Sequence, residues 1–326
     1  LITSVAAKIF FTNLSTMIGE AYSATPTLYK EFASVIPTET EVFTDGWTGM
    51  LDQMRPWVGS RVTKEPAPQT YSVSVLPFEQ TVTLDRFQLD DDKFGLYYRM
   101  LPDMARQAAR WPDYQLRNLL EGLYPWAAGS YQNGLDGLPN FSQAHPIDLY
   151  NPGLGTYSNL FTGGGLNVSG ILVGGAFSPT AFATLYEYMS VYKAEDNESM
   201  DVTPNRLMHP SQLKTEVELV LKNMMFAPPA WATITGQVGA ADNVFKRFGV
   251  EPLENKLLKN ASNWYLMDTT KAILPFRWIL RQAVEFVQRT NEQDPSVFDD
   301  HRYLYGDWGR AAAAWSFAWL CAKSGP

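Results

Sequence analysis

Tyr71-Ser72-Val73-Ser74-Val75-Leu76-Pro77-Phe78-Glu79-Gln80-Thr81-Val82-Thr83-Leu84-Asp85 is the stretch on which the fold turns. Tyr71, Val73 and Val75 alternate with Ser72 and Ser74, the period of a strand with one apolar side. Leu76-Pro77 breaks the alternation, which resumes as Phe78, Val82 and Leu84 against Thr81, Thr83 and Asp85. A strand of roughly 15 residues at about 3.3 Å each spans about 50 Å, well beyond the usual length of about 5–6 residues. Upstream, Thr44–Arg61 reads as the outgoing limb of the same hairpin. Its Trp47, Met50, Met54 and Trp57 sit among Gly46, Gly49, Pro56 and Gly59 without a clean strand period. Thr63-Lys64-Glu65-Pro66-Ala67-Pro68 is a polar turn with two prolines. Residues 44–89 are therefore expected to form a flap too long for the body of its own domain, one that needs another molecule to lie on.

The elements around the flap follow from their own patterns. Residues 1–43 carry two weak helical stripes and are expected to form an arm packing on something outside itself. Asp90-Asp91-Asp92 is read as the cap of a helix, because acids suit the free N–H groups and the positive end of the dipole. Phe94, Tyr97, Tyr98, Leu101, Met104, Ala105 and Ala108 share one stripe of it, and Pro102 predicts a kink. A second helix is expected over Asp113–Leu123. Tyr131–Asn167 is loop-like, with Asn133-Gly134, Asp136-Gly137 and Gly163-Gly164-Gly165. Ser178-Pro179 starts a helix that buries Phe182, Leu185, Tyr186 and Met189. A short buried strand, Arg206–Pro210, leads to a helix capped by Ser211, a small α/β rhythm over 168–264. Gly236–Glu254 reads as an exposed loop. Phe276, Trp278 and Leu280 alternate with Arg277, Ile279 and Arg281, with Val284 and Phe286 pairing against them. Ala311–Ala322 fits helix or strand.

The totals exclude several functions. A net charge of −8 over 326 residues argues against a nucleic-acid-binding surface spread over the whole protein. The single cysteine, Cys321, rules out an intramolecular disulfide and lies in the apolar run Trp319-Leu320-Cys321-Ala322 as a small core residue. No run approaches the ~20 apolar residues of a membrane span, and the first residues lack the basic start and cleavage site of a signal peptide. His145, His209 and His301 have no metal-ligand spacing. Asp299-Asp300-His301 reads as a solvated turn, and Asp90-Asp91-Asp92 needs no metal once it is a helix cap. Gly163-Gly164-Gly165 lacks the Lys-Ser/Thr of a phosphate loop. Nothing makes a case for an enzyme or for a cofactor.

The residues from Thr44 to Ile147 resemble a known family. Gly46-Trp47, Trp57-Val58-Gly59-Ser60-Arg61, the Tyr71 strand, Phe78-Glu79-Gln80-Thr81-Val82, Asp90-Asp91-Asp92, Gly95-Leu96-Tyr97 and Phe141-x-x-x-His145-Pro146 stand in the order seen in the major head (capsid) proteins of phage Mu and its prophage relatives. Thr203–Pro210 and Gly306-Asp307-Trp308-Gly309-Arg310-Ala311-Ala312 with Trp315 resemble later segments of that family. The resemblance implies an α+β fold of the HK97 capsid type. Its parts would be an N-terminal arm (1–43), an extended E-loop (44–89), a peripheral domain with a long spine helix (90–167), an axial domain (168–264) and peripheral return strands (265–326), with 311–322 a strand. It implies a structural protein of the phage virion, assembling in the host cytoplasm into hexamers and pentamers of an icosahedral head that encloses double-stranded DNA. Portal, scaffold and decoration proteins would be partners, and no membrane or cofactor would be involved. Trp47, Trp57, Arg61, Lys64, Tyr71 and Phe78 are the expected inter-subunit contacts. Two other classes stay open: another virion component such as a tail or decoration protein, which needs no long flap, and a soluble α/β enzyme, which needs a convergent polar cluster.

Overall fold

The computed structural model describes residues 15–47, 69–91, 96–123, 133–149, 151–162, 166–168, 171–173, 175–223, 225–226, 241–291 and 293–326. Trp57, Arg61, Lys64 and the tip of the flap lie outside these residues, as do the first fourteen residues and the glycine run at 163–165.

Two sheets and one long helix organise the molecule. In chain order, β1 (Ala33–Pro37), β2 (Val42–Trp47), β3 (Gln69–Ser74) and β4 (Leu76–Asp85) precede α1 (Leu96–Leu120). β5 (Leu160–Thr162), α2 (Pro179–Ser190), β6 (Arg206–His209), α3 (Lys214–Leu221), β7 (Glu251–Glu254) and β8 (Trp264–Met267) follow. β9 (Phe276–Arg289), β10 (Arg302–Trp315) and β11 (Cys321–Gly325) close the chain. One sheet has the order β1-β9-β10-β4 and the other β7-β6-β8-β11-β5. The arm expected to pack elsewhere instead packs at home over its described part. Ile18, Phe32 and Ala33 are buried, and β1 lies parallel to β9 from Ala33/Phe276 to Pro37/Leu280.

The five-stranded sheet is covered on both faces, so its strands read as apolar runs rather than alternating ones. Leu207, Trp264, Leu266 and Ala322 face one core, with Phe182, Leu185 and Met189 of α2 and Val217, Val220 and Leu221 of α3. Met208, Leu253, Tyr265, Met267 and Cys321, on alternate positions, face a second core with Val73, Leu116, Leu119, Trp278 and Ala311 to Ala314. Fully burying a side chain such as Phe182 is worth about 1.5–3 kcal/mol. Helix α2 forms as its sequence dictates: the Ser178 side chain accepts a hydrogen bond from the Ala181 N–H at 3.1 Å, and Pro179 fills the first turn.

Several expectations change. The two helices expected either side of Pro112 are one 25-residue helix with Pro102 and Pro112 inside it. Of the acidic triplet, Asp90 ends a separate five-residue helix, Arg86–Asp90. Ser211 does not cap α3. It sits in a 3-10 turn, Ser211–Leu213, and its hydroxyl donates to Glu254 at 2.8 Å. Val284 and Phe286 continue β9 instead of pairing with it, and the partner along that whole length is β10. Both sides of the alternation at the start of β9 are buried, Arg277 included at 2% exposed. Part of the loop expected at Gly236–Glu254 is a 3-10 turn, Val244–Phe248, followed by β7. The last strand, β11, joins the five-stranded sheet between β8 and β5, not the peripheral return strands.

Candidate inter-subunit surface

The flap begins as an antiparallel ladder, β2 on β3, paired from Val42/Ser74 to Trp47/Gln69. Tyr71, Val73 and Val75 point into the core while Thr70, Ser72 and Ser74 are exposed, as the alternation dictates. On the outer face Thr44 and Ser72 share a hydroxyl hydrogen bond of 3.2 Å. The Asp45 carboxylate accepts a hydrogen bond from Arg277 Nη1 of β9, and the guanidinium lies 5.8 Å from the centre of the Phe317 ring. A buried cation thus holds the root of the hairpin to the sheet.

At Leu76-Pro77 the returning limb changes partner. β3 ends at Ser74, the Val75 N–H still donates to the Glu41 carbonyl at 2.8 Å, and β4 then pairs with β10 from Leu76/Ala311 to Asp85/Arg302. The limb expected to reach away over its whole length is half hairpin and half sheet. β4 is an edge strand, with β10 on one side and no strand of the described residues on the other. Its outward positions Glu79, Thr81 and Thr83 are polar and exposed, and Pro77 removes one donor near its start. Charge and proline on an edge discourage indiscriminate strand pairing.

The inner face of β4 carries the other notable feature. Phe78, Gln80, Val82 and Leu84 stand opposite Gly309, Asp307, Tyr305 and Tyr303, so all eight share the face that packs under α1. Trp111 of α1 lies edge-on to Trp278 at 5.0 Å and against Phe78 at 5.1 Å. Beside it a cavity of about 190 Å³ is lined by Phe78, Trp111, Tyr114, Gln115, Val284 and Asp307. Asp307 is 8% exposed, and its Oδ2 has no hydrogen-bond partner among the described residues; nor do Gln115 Oε1 and Trp111 Nε1. Burial, with the Glu79 carboxylate adding to it, pushes the Asp307 carboxyl up to about 6.

Of the six expected contact residues, the structure keeps two on the chain's own body. Tyr71 is 7% exposed in the chain's own core, and Phe78 is half-buried on Trp111. Trp47 is the last paired residue of β2, and Trp57, Arg61 and Lys64 are outside the described residues. The histidines do not converge. His145 is fully buried: Nδ1 lies 2.5 Å from Asp136 Oδ2, and Nε2 lies 3.0 Å from the Asn140 carbonyl and 3.1 Å from Asn159 Oδ1. His209 donates from Nδ1 to the Pro210 carbonyl at 2.9 Å, and burial holds its pKa down. His301 is exposed against Phe87. No group of three or more His, Cys, Asp or Glu among the described residues is arranged to hold a metal ion. Burial pushes the Cys321 thiol up, away from thiolate chemistry. Sequence reasoning did not find Asp307, Asp113 or the Asp136–His145 pair, because each depends on a partner far away or on burial that no local pattern reports.

The comparisons with known proteins fit this geometry. The family profile described as "Mu-like prophage major head subunit gpT" matches residues 7–169 and 250–325. The chain is 28% identical to the major capsid protein of Escherichia phage Mu over 186 residues, 57% of this chain and 56% of that protein. It is 23% identical to the Mu-like prophage FluMu major head subunit of Haemophilus influenzae over 146 residues, 45% of this chain and 46% of that protein. The chain therefore spans about half the length of these relatives. Among solved structures, a chain of the bacteriophage JBD30 procapsid superposes with a TM-score of 0.54 at 23% identity, covering 100% of this chain and 76% of that one. A Mycobacterium phage Adephagia chain gives 0.53 at 12% identity, over 91% and 88%. At such identities the likeness concerns the fold, which is α+β and of the HK97 capsid type.

Proposed function

This chain belongs to the Mu-like prophage major head subunit gpT family, and from that premise we propose that it is a major capsid protein whose copies form the shell of an icosahedral phage head. The observation that carries the reading is the flap. Its root is fixed on the chain's own core through Tyr71, Val73 and Val75, while its outer polar face and the β4 edge are left open. A rigidly based hairpin with an uncovered side suits a contact made by another copy. A closed shell needs heterologous, ring-forming contacts, because isologous pairs alone stop at dimers. In this reading copies assemble in the host cytoplasm into hexamers and pentamers enclosing double-stranded DNA, with portal, scaffold and decoration proteins as partners. The negative net charge suits a wall that holds DNA without gripping it, since phosphate affinity comes from Lys and Arg.

The domain assignment follows the same premise. Residues 1–43 are the arm, 44–89 the E-loop, the region around α1 with β9 and β10 the peripheral domain, and 168–264 the axial domain, to which β11 contributes a strand. Trp47, Trp57, Arg61 and Lys64 remain the proposed flap contacts. The test is electron microscopy of the purified chain and of a variant lacking residues 62–69. Closed shells from the parent and open or absent shells from the deletion are expected. Shells of normal form and stability from the deletion would refute the role given to the flap.

A further inference from the structure

We propose that the cavity between α1 and the β4/β10 ladder is the receiving site for an arginine side chain from the flap of a second copy of this chain. This inference rests on the capsid reading above and specifies which surface the flap engages. Asp307 is more than nine-tenths buried, and its Oδ2 has no partner among the described residues. Gln115 Oε1, also buried and without a partner, lines the same cavity. Two acceptors, one a carboxylate, call for an occupant that brings several donors and a positive charge. A guanidinium has five donors and no acceptor, and its planar fork can bridge two acceptors.

The walls suit the same occupant. Trp111 and Phe78 present aromatic surface that a guanidinium can stack against. The mouth is rimmed by exposed Gln107 and Glu79, and Glu79 adds negative potential where a cation would enter. The pleat puts Glu79 on the opposite face of β4 from Asp307, so it attracts from the rim rather than occupying the cavity. A buried carboxylate without a cation is costly in the free subunit. That cost disappears when the cation arrives, which makes Asp307 a group whose value is realised on assembly. Between Trp47 and Gln69, the part of the flap beyond its paired root, the sequence carries two arginines, Arg55 and Arg61.

The experiment uses the full chain with Asp307→Asn, an isosteric change that removes the charge. Two quantities are read: the subunit's urea midpoint at a concentration too low for assembly, and the concentration above which shells form. The expected result is an unchanged or higher midpoint with an assembly threshold raised about ten-fold or more, the loss of one charge-assisted hydrogen bond. Either Arg55→Gln or Arg61→Gln should raise the threshold similarly and add little on top of Asp307→Asn. A lowered midpoint would mean that the chain's own residues satisfy Asp307 and would overturn the proposal. So would an unchanged threshold, or thresholds that add fully for both arginines. If the parent chain forms no shells at all, the capsid reading fails and this inference with it. Parent shells alongside an indifferent Asp307→Asn remove this inference alone.

Discussion

Gly309→Ala tests how α1 is seated on the sheet that carries the flap. Gly309 lies in β10 opposite Phe78, and a Cβ added there would sit 2.9 Å from Cζ3 and 3.2 Å from Cη2 of Trp111, and 3.3 Å from the Gln282 carbonyl oxygen. The indole cannot retreat freely, because Trp278 meets it edge-on at 5.0 Å and Phe78 lies 5.1 Å away. Overpacking of this kind costs about 1–3 kcal/mol. Replacing a strand glycine returns about 0.5–1 kcal/mol of conformational entropy. The net expectation is a loss of about 1–2 kcal/mol in a urea titration of dilute, unassembled subunit. Trp111→Phe removes the ring atoms that clash, so the alanine methyl then occupies the space they leave. In that background Gly309→Ala should cost close to nothing, a coupling of about 1–2 kcal/mol, against the ~0.5 kcal/mol within which independent sites add. Additive single and double mutants would mean that the indole does not rest on Gly309 and that α1 is not seated there.

The Asp113 carboxylate accepts the Leu28 and Tyr29 N–H groups, at 3.1 and 2.7 Å to Oδ1, and so ties the N-terminal segment to α1. Asp113→Ala should cost about 1–2 kcal/mol, in the range of a lost cap, with faster amide exchange at residues 28–32 as the local signature. The Asp307 carboxyl is harder to ionise in the folded subunit, at about 6 against an ordinary 3.8, so protonation favours folding. Its contribution is fully present below pH 3.8 and is lost as the pH rises to about 6, at most about 3 kcal/mol. Asp307→Asn should flatten the stability profile of the free subunit across that window, and an unaltered profile would refute the assignment.

What could be read from the chain was what depends on neighbours in sequence. The alternation at Tyr71, Val73 and Val75 gave the correct inward face, and the interruption at Leu76-Pro77 marked the point where the strand changes partner, though not which partner it takes. Ser178-Pro179 and the residues behind it specified α2 and its buried face. Failures came where tertiary packing outweighed a local signal. Two helices were expected where one runs through Pro112, although an interior proline costs about 3 kcal/mol. The single helix pays that cost, with Leu101, Met104 and Ala105 buried on one cluster and Leu116, Leu119 and Leu120 on another. The alternation in β9 said nothing of the burial of Arg277. Its partner, Asp45, lies on the hairpin root, and no periodicity in β9 could have named it. Asp307 was quoted only as part of a terminal motif. Its burial arises from α1 crossing β10, which is a property of the assembled layers.

On the proposed capsid reading, the join between flap root and body bears on how a shell could be strong. A flap attached by a loose linker would bind a neighbour yet pass no orientation or load to the body. Here the returning limb goes from its ladder with β2 into its ladder with β10 across the single residue Val75, whose N–H is itself bonded to the Glu41 carbonyl. The hairpin root is held a second time by Asp45 on Arg277 of β9. Any displacement of the root must therefore disturb both a ten-position strand pairing and an ion pair whose arginine is buried. The direction of the hairpin root is thus set by the chain's own core. If copies assemble as proposed, a root with one fixed direction has already lost freedom that docking would otherwise have to remove, and shell curvature would be biased before two copies meet.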